Sequence, residues 1–389
     1  MLVISSSPAW ATCKMIMPTD PGGQANTVIF DGCNIVVRNG AGSTATTNGL
    51  GNLIIGYNEP RSDTAPADRA GSHNLIVGVR HHYPSYAGMA LGRQNTISGP
   101  YSSVTGGGQN TASGNRSSVS GGQNNVASGD YSSVSGGNQN VASGNTASVT
   151  GGTLNQATDV ETSVSGGVAN VAGPGTPAAL PSLGGAAGSS VSGGGQNLAN
   201  GLVASVTGGY LNNASGIYAV VSGGAANQAT STETSVSGGI ANVAGAGTPL
   251  SVSGLAGSQG ATVSGGLENR ATGTAASVGG GELNQATDRA TSVAGGLDNL
   301  AGPGSVLGPP SGLTAAETAT VSGGQGNIAS NVGASVLGGS GNTASGIDAT
   351  VSGGDANKAT GIMSSVSGGT AHTTTADFEW IAGGLTQPF

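Results

Sequence analysis

The stretch SSVSGGQNNVASGDYSSVSGGNQNVASG, residues 117–144, contains one short pattern of Ser, Gly, Val, Asn and Ala twice. The first copy begins at Ser117 and the second at Ser132, 15 residues later. Between them they contain one charged and one aromatic residue, Asp130 and Tyr131. A fixed interval of this kind is typical of proteins built from stacked identical units, each of which contacts only its neighbours.

The composition of the whole chain supports a repeat protein. Of 389 residues, 75 are glycine, 3% are aromatic and 7% are charged. An ordinary globular domain has about 25% charged residues, so a conventional core is disfavoured. Collagen requires Gly at every third position, which the pattern lacks. Disorder usually accompanies high net charge and few β-branched residues, whereas here the net charge is −8 and Val recurs regularly.

The repeat extends over most of the chain when the sequence is aligned on the Val of Ser-Val-Ser-Gly-Gly. Fourteen of the seventeen steps are 15 residues, and the other three are 27, 27 and 28. The reference residues are Met89, Val104, Val119, Val134, Val149, Val164, Val191, Val206, Val221, Val236, Val263, Val278, Val293, Val321, Val336, Val351, Val366 and Ile381.

The columns of this alignment predict the geometry of each unit. Asn stands six residues after the reference residue and Ala eight residues after it. Fifteen residues with Gly-Gly and Val disfavour two packed helices but fit two short strands joined by tight turns. Side chains alternate along a strand, so Val, Asn and Ala would line a thin interior in which stacked Asn form a hydrogen-bonded ladder. The columns include Val104, Val119, Val134, Asn110, Asn125, Asn140, Asn155, Ala112, Ala127 and Ala142.

We therefore expect an all-β fold, a parallel β-roll or β-solenoid of about 18 coils over residues 89–389. One Val and one Ala per coil form a thin core. A second buried surface between identical chains would support it, so we expect an oligomer.

Three insertions, at 173–189, 245–261 and 302–318, enter the repeat at the same phase, just after the Asn-x-Ala strand. Equal phase predicts that all three loops leave the same edge. Projecting loops on one edge of a solenoid often bind ligands. The alternative is a tolerated duplication without a ligand. The candidate binding residues in these loops are Pro174, Pro177, Pro249, Pro303 and Pro309.

The first 88 residues differ from the repeat. We expect an irregular segment over 1–25 and a β-rich cap over 26–88, in which VIFDGCNIVV forms a hairpin that turns at Asp31-Gly32. The segments NLIIG, 52–56, and NLIVG, 74–78, predict a better-packed start of the stack. Cys13 and Cys33 could form a disulfide in an oxidising compartment, and two free thiols are the alternative.

Catalysis, cofactors and nucleic acid are disfavoured by the sequence. His73, His81 and His82 lie close together, but no Cys, Asp or Glu completes a recognisable metal site, so we expect solvated loop histidines. The sparse Lys and Arg do not suit a phosphate backbone. No run approaches the ~20 apolar residues of a membrane span, and the start of the chain is a poor secretion signal.

A ribbon of outward Ser residues flanks the reference Val and suggests a further possibility, ice binding. Ice-binding solenoids use Thr for such ladders, and here only Thr262, Thr320 and Thr350 precede the reference residue. Ordinary solvation of a strand face is the alternative.

The units SVSGGQNNVASG and NTASG over residues 89–384 resemble the head repeats of trimeric autotransporter adhesins, the YadA-like family. The resemblance implies a left-handed parallel β-roll, three chains around one axis, and display outside the cell or on a bacterial surface. Its implied role is non-enzymatic attachment to host matrix or other surfaces. A structural fibre or spacer, bacterial or from a phage tail, is the alternative.

Overall fold

The computed structural model describes residues 14–16, 27–61, 69–173, 187–245, 259–302, 317–383 and 385–387. Within these ranges the chain is all-β, without a helix, and winds as a solenoid of parallel strands with about 18 turns of about 15 residues. The predicted fold class is confirmed. The solenoid follows from the composition, because each coil can bury its few apolar residues only against the coils above and below.

One face of the solenoid is a parallel sheet in which each strand carries a reference residue of one coil. Each strand pairs in register with its equivalents, as Ser133 does with Ser118 and Ser148. The strands are Met89–Arg93, Ser103–Val104, Ser118–Val119, Ser133–Val134, Ser148–Val149, Ser163–Val164, Ser190–Val191, Ser205–Val206, Val220–Val221, Ser235–Val236, Thr262–Val263, Ser277–Val278, Ser292–Val293, Thr320–Val321, Ser335–Val336, Thr350–Val351, Ser365–Val366 and Trp380–Ala382.

The opposite face is a second parallel sheet, formed by the strands that end at the Ala column. Val126 and Ala127, for example, pair with Val141 and Ala142 of the next coil. The strands are Thr96–Ile97, Thr111–Ala112, Val126–Ala127, Val141–Ala142, Gln156–Ala157, Val171–Ala172, Leu198–Ala199, Asn213–Ala214, Gln228–Ala229, Val243–Ala244, Arg270–Ala271, Gln285–Ala286, Leu300–Ala301, Ile328–Ala329, Thr343–Ala344, Lys358–Ala359 and Thr373–Thr374.

Each coil also has a third line of contact that the two-strand prediction missed. Four residues after the reference position, single residues such as Gly108, Gln123 and Asn138 form parallel bridges with their equivalents. The chain turns at two corners per coil, one with two left-handed residues, Gly107 at φ 76° and Gln109 at φ 58°, and one with a single left-handed residue, Arg116 at φ 56°. These corners reverse the chain without a long loop, so fifteen residues suffice for one turn.

The register predicted at Met89 is wrong by one residue. Met89 pairs with Ser103 and Ala90 pairs with Val104, so Ala90 occupies the reference position and is fully buried. Ile76 in turn pairs with Ala90, so the steps from Ile76 to Ala90 and from Ala90 to Val104 are 14 residues each. The alignment on Val failed here because the N-terminal coils contain Ala and Ile at the equivalent positions.

The interior contains the Val, Asn and Ala columns, with every predicted member at most 1% exposed. A fourth interior column, two residues before the reference Val, was not predicted. Ser117 and Ser132 occupy it, and each hydroxyl donates to a glycine carbonyl three residues earlier, at 2.8 and 2.7 Å. Ala147 fills the same position in the next coil and is also buried. Small side chains are required here because the two sheets lie close together.

Asn125 shows how the Asn column joins successive coils. Its backbone N–H donates to Asn110 Oδ1 at 2.9 Å, and its own Oδ1 accepts from the N–H of Asn140 at 3.0 Å. Its Nδ2 donates to Gly121 O at 2.9 Å and to Gly137 O of the next coil at 3.0 Å. At Asn125 the ladder therefore connects side chain to backbone, and at Asn242 and Asn299 the Nδ2 also donates to the Oδ1 of the preceding Asn, at 3.1 and 3.0 Å.

Histidines occupy the two ends of this ladder. The N–H of Asn95 donates to His81 Nδ1 at 3.3 Å, and His81 Nε2 contacts Val77 O at 3.0 Å, which reproduces the bonds of the Asn side chains. The N–H of His372 donates to Asn357 Oδ1 at 2.9 Å at the other end. Because His81 is only 2% exposed, the expectation of a solvated loop histidine is wrong for this residue.

The solenoid keeps its register across the three insertions. The described residues end at Gly173, Gly245 and Gly302 and resume at Ala187, Gln259 and Glu317, and Val164 still pairs with Val191 on the far side of the first insertion. The N–H of Gly188 donates to Val160 O at 2.9 Å, the same corner bond that Arg116 makes with Pro100 in an uninterrupted coil. All three interruptions therefore occur at one corner of the coil.

The N-terminal region differs from its prediction. The strand Ile29–Asp31 pairs antiparallel with Lys14–Ile16, so the hairpin expected at Asp31-Gly32 is wrong. The strands Leu53–Ile55 and Leu75–Val79 pair in parallel and begin the first sheet. At the other end, Leu385–Gln387 pairs antiparallel with Trp380–Ala382. Cys33 is disulfide-bonded, and Cys13, the only other cysteine, lies outside the described residues.

Candidate binding surface

The sequence-predicted site residues fall into two groups. The ten ladder residues, from Val104 to Asn155, all lie in the interior, where they stabilise the stack and are inaccessible to a ligand. The five loop prolines, Pro174, Pro177, Pro249, Pro303 and Pro309, lie outside the described residues. A candidate site within the described part of the chain must therefore be formed by the outward columns.

The most distinctive outward column lies at the left-handed corner, twelve residues after the reference position. In successive coils this corner holds Tyr101, Arg116 and Tyr131, with φ of 58°, 56° and 57°. Tyr86 lies one coil earlier, just before the equivalent corner residue Ala87 at φ 55°, and its carbonyl accepts from the N–H of Tyr101 at 3.1 Å. The positive φ turns the side chains of Tyr101, Arg116 and Tyr131 outward, and the coil spacing stacks them along the solenoid axis. We call these four residues the tyrosine–arginine stack.

The side chains of the stack contact one another in order. The rings of Tyr86 and Tyr101 have centroids 5.4 Å apart and an interplanar angle of 80°, an edge-to-face arrangement. Arg116 Cζ lies 5.3 Å from the ring centroids of both Tyr101 and Tyr131. Arg116 Nη1 also donates to Tyr131 Oη at 2.6 Å. Tyr101 is 46% exposed and Tyr131 52% exposed, so the stack is fixed by its neighbours while facing solvent.

Arg116 is the one cation in a long stretch of the sequence, and the carboxylate of Asp130 lies nearby, where its Oδ1 accepts from the N–H of Asn115 at 2.9 Å. No other Lys or Arg occurs in the sequence between Arg93 and Arg270. Contact with two aromatic rings is favourable for a guanidinium group and holds it in one orientation. Tyr and Arg are also the residue types most enriched among the residues that dominate binding energy in interfaces. The stack can therefore present a preorganised donor, with aromatic surfaces on either side, to an acidic or planar group.

A second surface feature is the hydroxyl face, formed by the residues just before and just after each reference Val. Ser118 and Ser133 lie in the strands and are half-buried, whereas Ser120 and Ser135 are exposed. A shallow hollow of about 370 Å³ interrupts this face where Gly279 and Ala294 replace the exposed serine. The hollow is lined by the hydroxyl groups of Ser and Thr and by the aliphatic side chains of Val and Ala.

The histidines show no metal arrangement. Within the described ranges no group of three His, Cys, Asp or Glu side chains is placed to hold a metal ion. His73 Nε2 accepts from the N–H of Asn39 at 3.2 Å, and His81 is bound within the ladder. Burial lowers the pKa of the His81 imidazole below its ordinary value, as does the charge of Arg61 to a smaller extent.

The tyrosine–arginine stack was missed by the sequence analysis. The sequence does indicate these residues, since Tyr101, Arg116 and Tyr131 are spaced by 15 residues and share one column of the repeat. The residues of that column vary from coil to coil, so the repeat pattern alone does not single them out. Only the left-handed corner geometry shows that the column points outward and brings neighbouring members into contact.

Comparison with known proteins does not assign the chain to a family. No protein-family model matches the chain, and no significant relative was found among curated proteins. The described residues contain no helix of the length and apolarity that a membrane span would need.

Proposed function

We propose that the protein is a non-enzymatic attachment protein, an adhesin-like head in which a rigid β-solenoid presents a binding surface. The resemblance of the repeats to YadA-like heads supports this role and an extracellular or bacterial-surface location. It also supports a left-handed homotrimer. The loops with Pro174, Pro249 and Pro303 are further candidate contact points.

The tyrosine–arginine stack is the observation that carries the proposal. In other coils the same corner holds polar residues such as Thr146 or aromatic residues such as Tyr218, and the stack differs from these in that its Tyr and Arg side chains contact one another across neighbouring coils. Two half-exposed tyrosines around one guanidinium cost solubility and provide no core burial. Such a cluster is explained by a partner that covers the rings and bonds to Arg116.

The experiment compares Arg116→Ala and Tyr131→Ala with the control Tyr218→Ala. Tyr218 occupies the same corner in a later coil, is 54% exposed and has φ 55°, but its neighbours in the column are Val203 and Glu233. Retention of the full chain is measured on surfaces coated with fibronectin, collagen and acidic polysaccharides. We expect at least about a fivefold loss of binding for the two stack variants and little change for the control.

Two results would refute attachment through the stack. If the unmodified chain binds none of the coated surfaces above a protein-free blank, the fibre or spacer role is favoured. If Tyr218→Ala reduces binding as much as Arg116→Ala, the effect is not specific to the stack. Circular dichroism of each variant shows whether the solenoid is intact.

Ice binding is a second candidate, favoured by the hydroxyl face. Its two columns repeat once per coil, at the spacing of about 4.8 Å between parallel strands. Thermal hysteresis of the purified chain tests it directly. A freezing-point depression that Ser120→Tyr and Ser135→Tyr abolish would support ice binding, and absence of hysteresis would exclude it.

A further inference from the structure

The N-terminal end of the solenoid exposes far more apolar surface than the rest. The large hydrophobic residues of segment 28–57 that are exposed number ten, whereas seventeen are exposed in all later described residues. They include Leu53 at 54%, Ile54 at 36% and Ile55 at 56%, which form the outermost strand of the first sheet. We call Leu53–Ile55 the edge strand. A terminal coil normally carries a polar cap, so exposed Leu and Ile here indicate a surface that is covered in the assembled protein.

A second unpaired segment lies just before this strand. Residues 34–38, NIVVR, form no strand, and Ile35 and Val36 are 64% and 72% exposed. We call them the leading segment. Its sequence follows the same pattern as NLIIG, 52–56, and NLIVG, 74–78. Those two stack in parallel with Leu53 beside Leu75 and Ile54 beside Ile76. The leading segment therefore has the sequence of one further rung of the same sheet.

The leading segment cannot form that rung on its own chain in the same register. Parallel pairing would place residue 38 beside Gly56. However, the N–H of Asn39 donates to His73 Nε2 at 3.2 Å, and Asn48 Nδ2 donates to Asn39 O at 3.0 Å. The Asn39 nitrogen would lie 2.6 Å from a Cβ on Gly51, at the opposite end of the edge strand. These contacts hold Asn39 near Gly51, so residues 34–38 of the same chain do not lie alongside the edge strand in that register.

Charges at the two segments are complementary. Arg38 ends the leading segment and is exposed. Glu59 follows the edge strand, and its Oε2 is buried with no hydrogen-bond partner among the described residues. In-register pairing between two molecules would place Arg38 beside Gly56, three residues before Glu59. Arg38 of one copy and Glu59 of the other could then form an ion pair across the interface.

We propose that the leading segment of one copy adds in parallel to the edge strand of a second copy, with residue 36 beside residue 54. Each copy both donates and receives a strand, so the exchange is complete when two copies swap leading segments or when a larger number do so around a closed ring. It covers Ile54 and extends the first sheet by one rung. This interface does not depend on the adhesive role, and the solenoid coils take no part in it.

Mass in solution provides the first test. The unmodified chain is expected at a multiple of 36.7 kDa by light scattering. Val36→Asp and Ile54→Asp are each expected to lower this mass to that of the assembly that the solenoid coils form without strand exchange. Ile240→Asp is the control, since Ile240 is 54% exposed and lies in the line of single-residue bridges of a central coil, and it should leave the assembly intact. A single-chain mass for the unmodified protein, or dissociation by Ile240→Asp alone, would overturn the proposal.

Disulfide trapping tests the register. Chains carrying Val36→Cys are mixed with chains carrying Ile54→Cys under mild oxidation. We expect a covalent dimer in the mixture and none with either variant alone, because residue 36 meets residue 54 only across copies. In the double variant the bond should join different chains. A bond within one chain of the double variant, or no bond in the mixture, would refute strand exchange.

Discussion

Replacing Asn125 by Ala tests the energetic role of the Asn column. The Asn125 side chain makes three hydrogen bonds, to the N–H of Asn140 and to the carbonyls of Gly121 and Gly137, at 2.9 to 3.0 Å. Asn125 is fully buried, so Ala removes the partner of the Asn140 N–H and of the Gly121 carbonyl, whereas the Gly137 carbonyl still accepts from the N–H of Gln123 at 3.0 Å. At about 1 kcal/mol for each bond, the expected loss of local stability is about 3 kcal/mol.

Native-state hydrogen exchange measured by mass spectrometry is the appropriate assay. Global unfolding of a long solenoid need not be two-state, whereas exchange reports the opening of individual coils. A loss of about 3 kcal/mol corresponds to roughly 100-fold faster exchange of the amides around residues 119–142, while coils beyond residue 320 should be unaffected. The effect of the substitution on exchange should decrease with distance from residue 125, because each coil contacts only its neighbours.

Asn145→Ala is the matched control, because Asn145 is exposed at a corner of the adjacent coil. It should change exchange less than threefold. If Asn125→Ala accelerates exchange no more than Asn145→Ala does, the ladder contributes little to stability and the reasoning is wrong.

Three further predictions concern the glycine pair, His81 and the insertions. Gly122→Ala should destabilise the stack by about 2 kcal/mol or more, because φ is +81° and a Cβ would collide with the Gly137 carbonyl. Gly121→Ala, with open space around its Cβ, should be neutral in urea unfolding. Burial lowers the pKa of His81 from 6.5. The unfolded chain therefore takes up the proton first, and N-terminal stability should be complete above about pH 6.5 and fall below it. His81→Asn should abolish that pH dependence in hydrogen exchange, and its persistence would contradict the assignment. Replacing 174–186 by one glycine restores a 15-residue step, so the melting temperature should be unchanged, and a large decrease would refute the continuity of the coil.

The repetitive part of the fold could be predicted because identical coils impose identical constraints. A residue such as Val119 is enclosed by copies of itself, so its column shows directly which side chains face inward. The buried Ser117 column was missed because Ser was expected to face solvent. Its hydroxyl instead bonds to the carbonyl of Gly114, a contact that depends on how the corner folds.

The ends and the surface were less predictable. Ala90 was misplaced because two 14-residue steps precede the 15-residue rhythm. The hairpin at Asp31 was wrong because Ile29–Asp31 pairs with residues upstream, and local turn sequence does not reveal that choice of partner. The stack around Arg116 depends on contacts between neighbouring coils, which become visible only once the corner residues are known to be left-handed.

The central claim is that each coil lengthens the solenoid by one parallel strand spacing, whatever the length of the insertion in that coil. Distances between spin labels test this claim. One spin label is placed at Ser120 and the second, in separate variants, at Ser192, Ser222, Ser237 or Ser264. These positions all lie one residue after a reference Val, and they are four, six, seven and eight coils away from Ser120. At about 4.8 Å per coil, the expected distances are about 19, 29, 34 and 38 Å. A linear increase that counts each long insertion as a single step would support the solenoid. Distances that instead grow with the number of intervening residues would contradict it.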